Sequence, residues 1–256
     1  MTVFPFDLTG KVALVTGGNG GIGLAMAEAM AAAGADICIW GSSRDKTARA
    51  GEQLTAHGTR VLAQVCDVAD EAAVEATIAE ALATLGRIDA CFANAGVSGR
   101  APSFLEMTAD EWRRVLSVNL DGVFFTLRGV ARHMVERGGG GSLAVTSSLA
   151  SIEGQPKGEH YAASKGGVVS MMRALAVELG RYQIRANAIL PGWIETDMTR
   201  DWMGLDVVKD RVLKRVPARR WGQPQDFGGV AVYLASDASA YHSGDTLLID
   251  GAYALF

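Results

Sequence analysis

Short runs of β-branched and apolar residues recur along the chain, separated by longer segments of helical character. KVALVT (11–16), DICIWG (36–41), RVLAQVC (60–66), RIDACFAN (87–94), SLAVTSS (142–148), IRANAIL (184–190) and DTLLID (245–250) make seven predicted strands. Several are apolar at consecutive positions, the pattern of strands buried on both faces, and the connections are long enough for crossover helices. The expectation is an α/β protein with one doubly wound, seven-stranded parallel sheet and helices on both faces. Thr108 and Glu111 spell a capping box ahead of Trp112, Val115 and Leu116, and that helix is expected to run on to about Glu136. Pro224 is placed to open the last long helix, where a missing N–H costs nothing. The GGGG at 138–141 reads as a turn. Residues 192–221 have weaker periodicity, mix Trp193, Met198, Trp202, Met203 and Leu205 with acidic residues, and read as a mobile lid.

At 256 residues and 49% hydrophobic, the chain can bury an ample core, and with no repeat or linker it reads as a single domain over 1–256. A net charge of −4, with Lys and Arg scattered, gives no footprint for nucleic acid. The opening MTVFPFDLTGKV has no basic leader, and no stretch is apolar enough to span a membrane. These features predict a soluble, cytoplasmic protein. Cys38, Cys66 and Cys91 each fall in a predicted core strand without Cys-x-x-Cys spacing, and read as small buried hydrophobes in a reducing compartment. His57, His133, His160 and His242 have no ligand spacing either, so no metal is expected, and His160 reads as a partly exposed helix residue.

Two features carry chemistry. Tyr161 and Lys165 in HYAASKGG are four apart, hence neighbours on one helix face, and a cation favours the phenolate over the phenol. A phenol normally titrates near about 10, so a lowered value would suit it to proton transfer near neutrality. Alone, such a pair is usually solvated surface. It comes with TGGNGGIG after the first strand, where Gly18, Gly20 and Gly23 satisfy G-x-G-x-x-G and Gly17, Gly21 and Gly23 satisfy a longer G-x-x-x-G-x-G register. Glycines there let a backbone approach a pyrophosphate, whose charge meets the N–H groups at the helix start. At the end of the second strand WGSSRD lacks, near Gly41, the acid that would accept from the ribose hydroxyls of NAD. Ser42, Ser43 and Arg44 could instead hold a 2′-phosphate, which leans towards NADP over NAD, although Arg44 could equally be an ordinary solvated residue.

Together these residues resemble the short-chain dehydrogenase/reductase family over nearly the whole chain, which implies a single-domain Rossmann fold. TGGNGGIG resembles its cofactor loop, contributing Gly17, Asn19, Gly21, Ile22 and Gly23; CDV supplies Asp67 and Val68 for the adenine side; ANAG supplies Asn94, Ala95 and Gly96, with Ala93 in place of a frequent asparagine. LPGWIET resembles the segment whose Pro191, Gly192, Ile194 and Thr196 line the nicotinamide. Ser148 lies 13 residues before Tyr161, the family's spacing, since 161 − 148 = 13. The resemblance therefore implies a catalytic tetrad of Asn119, Ser148, Tyr161 and Lys165, with Tyr161 and Lys165 also touching the cofactor. By themselves Ser147 and Ser148 could be plain strand-end serines, and Asn119 could merely kink its helix.

The implied activity is hydride exchange between NAD(P) and a ketone or secondary alcohol, and the runner-up is a nucleotide sensor without catalysis on the same scaffold. The family's substrates include oxoacyl thioesters, sugars, steroids and cyclic ketones; the lid's Trp and Met residues suggest a partly apolar one. The tail LLIDGAYALF ends on Tyr253, Leu255 and Phe256, and is expected to dock at a subunit contact in a homotetramer, as in many members of the family. Ala163, Gly166 and Gly167 could permit close helix approach at another interface.

Overall fold

The structure, a computed structural model, describes residues 5–99 and 101–256, the side chains of Asp201, Trp202, Val207 and Asp210 excepted. Seven parallel strands, β1 (Val12–Thr16), β2 (Asp36–Gly41), β3 (Val61–Val65), β4 (Ala90–Ala93), β5 (Gly141–Thr146), β6 (Ile184–Pro191) and β7 (Thr246–Ile249), form one sheet in the order β3-β2-β1-β4-β5-β6-β7. The chain reverses its direction of growth between β1 and β4, and open α/β sheets bind ligands at that point, beyond the carboxyl ends of the strands.

Consecutive apolar residues within a strand serve two cores. Val12 and Leu14 of β1 face one cluster with Cys91, Val123, Leu127 and Met172. Their neighbours Ala13 and Val15 face the other, with Met26, Met30, Phe227 and Leu234. The helices α3 (Glu71–Leu85), α5 (Gly122–Arg137) and α6 (Glu159–Leu179) supply the first layer, and α1 (Gly21–Ala32) and α9 (Gly228–Ala235) contribute to the second. The predicted doubly wound sheet with helices on both faces is therefore the observed one.

Several boundaries differ from the sequence reading. The fourth strand is only Ala90–Ala93, because Asp89 accepts from the Val12 N–H and pairs with Arg87 and Arg137 at the foot of the sheet. Cys66 lies one residue beyond β3, although all three cysteines are free and buried as expected. Between α2 (Arg44–Thr55) and β3 the chain is short; between β4 and α5 it forms α4 (Ala109–Leu116) and then a π-helical segment, Ser117–Asp121. The single helix expected to about Glu136 thus contains a wide turn, a distortion that tends to mark functional positions. Thr108 does cap α4, accepting from the Glu111 N–H at 3.1 Å, but the Glu111 carboxylate turns to Arg114 and His160. Pro224 opens a 3₁₀ turn, Pro224–Phe227, and the helix that follows has 8 residues, so it is not long. Residues 192–221 contain the short helices α7 (Arg200–Met203) and α8 (Asp206–Val212). Among the described residues, no helix is long and apolar enough to cross a membrane.

Candidate active site

A cleft opens at the carboxyl edge of β1, β4, β5 and β6, and its floor is the glycine loop. Gly17 (φ 64°) and Gly21 (φ 51°) are left-handed, a region costly for other residues. A Cβ at Gly23 would run into the Gly17 carbonyl oxygen and come within 2.5 Å of Asn94 Nδ2. The longer register therefore makes the turn; a Cβ at Gly18 would meet Ile39 of the sheet at 2.6 Å, and one at Gly20 would meet open space. Asn94 Nδ2 donates to the Thr16 carbonyl at 3.1 Å, Asn94 Oδ1 accepts from Thr146 Oγ1 at 2.9 Å, and Thr16 Oγ1 accepts from the N–H groups of Asn94 and Ala95. These bonds tie three strand ends to the loop. Among the described residues no side chain caps α1, so its first-turn N–H groups remain donors for an anion, and the cradle fits a dinucleotide pyrophosphate.

Residues predicted for the cofactor divide into two groups. Gly17, Asn19, Gly21, Ile22, Asn94, Ala95, Gly96, Pro191, Gly192, Ile194 and Thr196 line the cleft. Gly23 packs beneath it, while Ser42, Ser43 and Arg44 are exposed at the start of α2 and outside its lining. Asn19 lies across Gly41, so a side chain there would collide with it, and Asn19 Nδ2 donates to Thr47 Oγ1 at 3.1 Å. Asp67 Oδ1 accepts from the Ala69 N–H at 3.0 Å, and Val68 is buried under Gly122. Sequence reasoning passed over Lys46, which lines the cleft and pairs with Asp197 at 3.1 Å from the opposite side. A basic residue in the first turn of a helix after the second strand was the available signal.

The predicted catalytic residues come from three elements. Ser148 leaves β5 and begins the turn Leu149–Ser151, accepting from the Ala150 N–H at 3.2 Å. Tyr161 and Lys165 share one face of α6, with the ammonium 5.6 Å from the tyrosine ring centre. Lys165 is buried, and its Nζ donates to the Thr146 carbonyl at 2.8 Å. Burial brings the ammonium down from 10.5 to about 8. Burial also pushes the Tyr161 phenol above its ordinary value, opposed by a hydrogen bond with Ser148. The sequence reading expected the lysine to draw the phenol down; here desolvation is the larger effect and the serine is the opposing partner.

Asn119 is not in the cleft wall. It sits in the π-helical segment, accepts from the Val97 N–H at 2.8 Å, and donates to the Val97 carbonyl at 3.0 Å and to Ser164 Oγ at 3.4 Å. A Cβ at Gly96 would lie 3.2 Å from Asn119 Oδ1 and 3.4 Å from Lys165 Nζ, so both approach the same backbone. His160 corrects the sequence reading outright: it is fully buried, because Gly99 packs on its ring where any side chain would collide. Of the lid residues, Met198 lines the cleft, whereas Trp193, Met203 and Trp221 pack with Leu149 and Tyr253. Trp202 has its side chain outside the described residues. No group of metal-ligating side chains occurs among the described residues.

Comparison with known proteins identifies the class. A family model described as Enoyl-(Acyl carrier protein) reductase matches residues 17–254. The chain is 38% identical over 245 residues to L-rhamnose 1-dehydrogenase (NAD(P)(+)) of Sphingomonas sp. (strain SKA58), covering 95% of this chain and 96% of that one. It is 37% identical over 253 residues to 2-dehydro-3-deoxy-D-gluconate 5-dehydrogenase of Dickeya dadantii (strain 3937), covering 99% of both. The crystal structure of a gluconate 5-dehydrogenase from Burkholderia cenocepacia J2315, in complex with NADP and tartrate, superposes with a TM-score of 0.93 at 38% identity, over 98% of each chain. The chain belongs to the short-chain dehydrogenase/reductase family.

Proposed function

We propose that this oxidoreductase interconverts a small secondary alcohol and its ketone with NAD(P), using Ser148, Tyr161 and Lys165 as the reacting set and Asn119 behind them. The observation that supports this reading is the convergence of Ser148, Tyr161 and Lys165 on the cleft floored by the glycine loop. When bound, the nicotinamide supplies or accepts the hydride. Ser148 donates to the carbonyl oxygen and fixes its orientation. Tyr161 delivers a proton to that oxygen on reduction and removes it on oxidation. Burial holds the phenol protonated at neutral pH, so the proton to be delivered is in place, and the Ser148 hydrogen bond offsets part of the rise. Lys165 would reach the nicotinamide ribose as well as the tyrosine, while Asn119 fixes the turn of chain at Val97 beside it.

The absent acid at Gly41, with Lys46 in the cleft and Arg44 near it, favours NADP over NAD. The relatives' sugars and sugar acids set the first substrate panel, and apolar ketones the second, because Ile194 and Met198 are apolar contributions of the lid to the cleft. The test follows loss of reduced-nicotinamide absorbance with each ketone, and the reverse with each alcohol. Cofactor binding with no turnover on either panel would favour a nucleotide sensor. We further propose a cytoplasmic homotetramer: Leu255 and Phe256 are largely exposed in the single chain. An unchanged oligomer on deleting residues 252–256 would count against a tail-mediated contact.

A further inference from the structure

The strand-end loop that follows Gly96 is fastened at three successive residues. Val97 is held by both ends of the Asn119 amide, and the Ser98 carbonyl accepts from Arg114 Nη2 at 3.0 Å. Gly99 rests against the His160 ring. Arg114 also grips Glu111 with two parallel bonds, Nε to Oε2 at 2.7 Å and Nη2 to Oε1 at 2.9 Å. Glu111 Oε1 in turn lies 3.2 Å from His160 Nε2. A carboxylate only accepts, so Nε2 carries the proton; His160 Nδ1 is buried with no partner among the described residues, and as a bare acceptor it is left without an unmet N–H. A charged chain thus runs from α4 to the residue immediately before Tyr161, crossing the loop on its way. A buried histidine at this point has a steep requirement: its one strong bond must come from Glu111, and its ring must have Gly99 beside it.

We propose that Arg114, Glu111 and His160 are positioning residues: they lock the 97–99 loop and the first turn of α6 together, and so set the distance between the substrate and the Tyr161 hydroxyl. The proposal rests on Tyr161 being the proton-transfer group. None of the three residues lines the cleft, so they act only through the loop and the first turn of α6, whereas the dinucleotide is held chiefly by the glycine loop, which they do not touch. Glu111 supplies the bond to the histidine and both bonds to the arginine, which makes it the residue to change.

The test uses the full-length variants Glu111→Ala and Glu111→Gln, with NADPH affinity by fluorescence titration, amide hydrogen exchange, and KM and kcat on whichever ketone the wild type reduces. In Glu111→Ala, exchange at residues 97–99 and at the start of α6 is expected to rise about tenfold or more, with the central strands unchanged. NADPH affinity is expected to stay within about twofold, while KM for the ketone rises and kcat falls by about tenfold or more. Glu111→Gln keeps Oε1 as an acceptor for His160 Nε2 and Arg114 Nη2 but turns an NH2 towards Arg114 Nε, and is expected to recover part of the protection and the rate. Unchanged local exchange, or a loss spread evenly over the sheet, would overturn the proposal. So would cofactor affinity falling in step with turnover, or failure of the glutamine variant to recover more than the alanine. If wild type turns over no ketone, the proposed reaction fails on its own, and the exchange and NADPH measurements still decide whether the chain locks the loop.

Discussion

Replacing Lys165 with methionine should stabilise the unliganded protein at neutral pH while removing its turnover. The ammonium is buried, and its drop from 10.5 in the unfolded chain to about 8 when folded corresponds to roughly 3 kcal/mol of unfavourable burial. Below pH 8 both states hold the proton and the cost is present in full. Between 8 and 10.5 the folded protein releases the proton and the unfolded chain keeps it, so the cost lifts; above 10.5 it is gone. Methionine has similar length but forfeits the 2.8 Å bond to the Thr146 carbonyl, a loss of about 1 kcal/mol. The variant is therefore expected to be more stable by about 2 kcal/mol at pH 7, with the gap closing to near zero by pH 9.5. Urea unfolding of both proteins at pH 7 and pH 9.5, at one fixed protein concentration, measures this. A variant less stable than wild type at pH 7, or a gap independent of pH, would refute the reasoning. Either result would mean that the ammonium is compensated in a way the Thr146 bond does not account for.

Tyr161→Phe is expected to bind NADPH within about twofold of wild type and to lose about three orders of magnitude or more in kcat, because proton transfer alone is removed; single-turnover kinetics checks this, and retained turnover would remove the phenol from the mechanism. Gly23→Ala forces its methyl into the Gly17 carbonyl, so it should abolish detectable cofactor binding and lower stability by about 2 kcal/mol or more, as calorimetric titration and thermal melting would register. Lys46→Ala is expected to weaken NADPH by about tenfold while leaving NADH nearly unchanged, and equal loss for both would show that the residue does not read the 2′-phosphate. The Cys38 thiol, pushed up to about 12 by burial, and the Cys91 thiol, raised for the same reason, should resist a thiol reagent at pH 8 until denaturant is added; rapid labelling of the native protein would contradict that burial.

The sheet was legible because its signal is local. A strand buried on both faces needs consecutive apolar residues, and Val12, Ala13, Leu14 and Val15 announce that requirement without reference to any partner. The same holds for Tyr161 and Lys165, whose proximity follows from helical pitch alone, and for the glycines, whose spacing before a helix states what backbone is wanted. The sequence also left two glycine registers open, and only positive φ at Gly17 and Gly21, with open space at Gly20, selected one.

What tertiary structure alone decided is the environment of each group. Glu111 spells a reciprocal capping box, yet Arg114 and a histidine 49 residues away compete for its carboxylate and win it. His160 reads as half-exposed until a glycine from another loop is laid against its ring. The lysine's pull on the tyrosine, plausible from their four-residue spacing, gives way to desolvation, which depends on everything packed around the pair. Periodicity and spacing are properties of neighbours along the chain, so the sequence determined the architecture and the residue types proposed to react; burial, charge pairing and the long reach of Lys46 to Asp197 arise between segments distant in sequence, and the folded arrangement had to decide them.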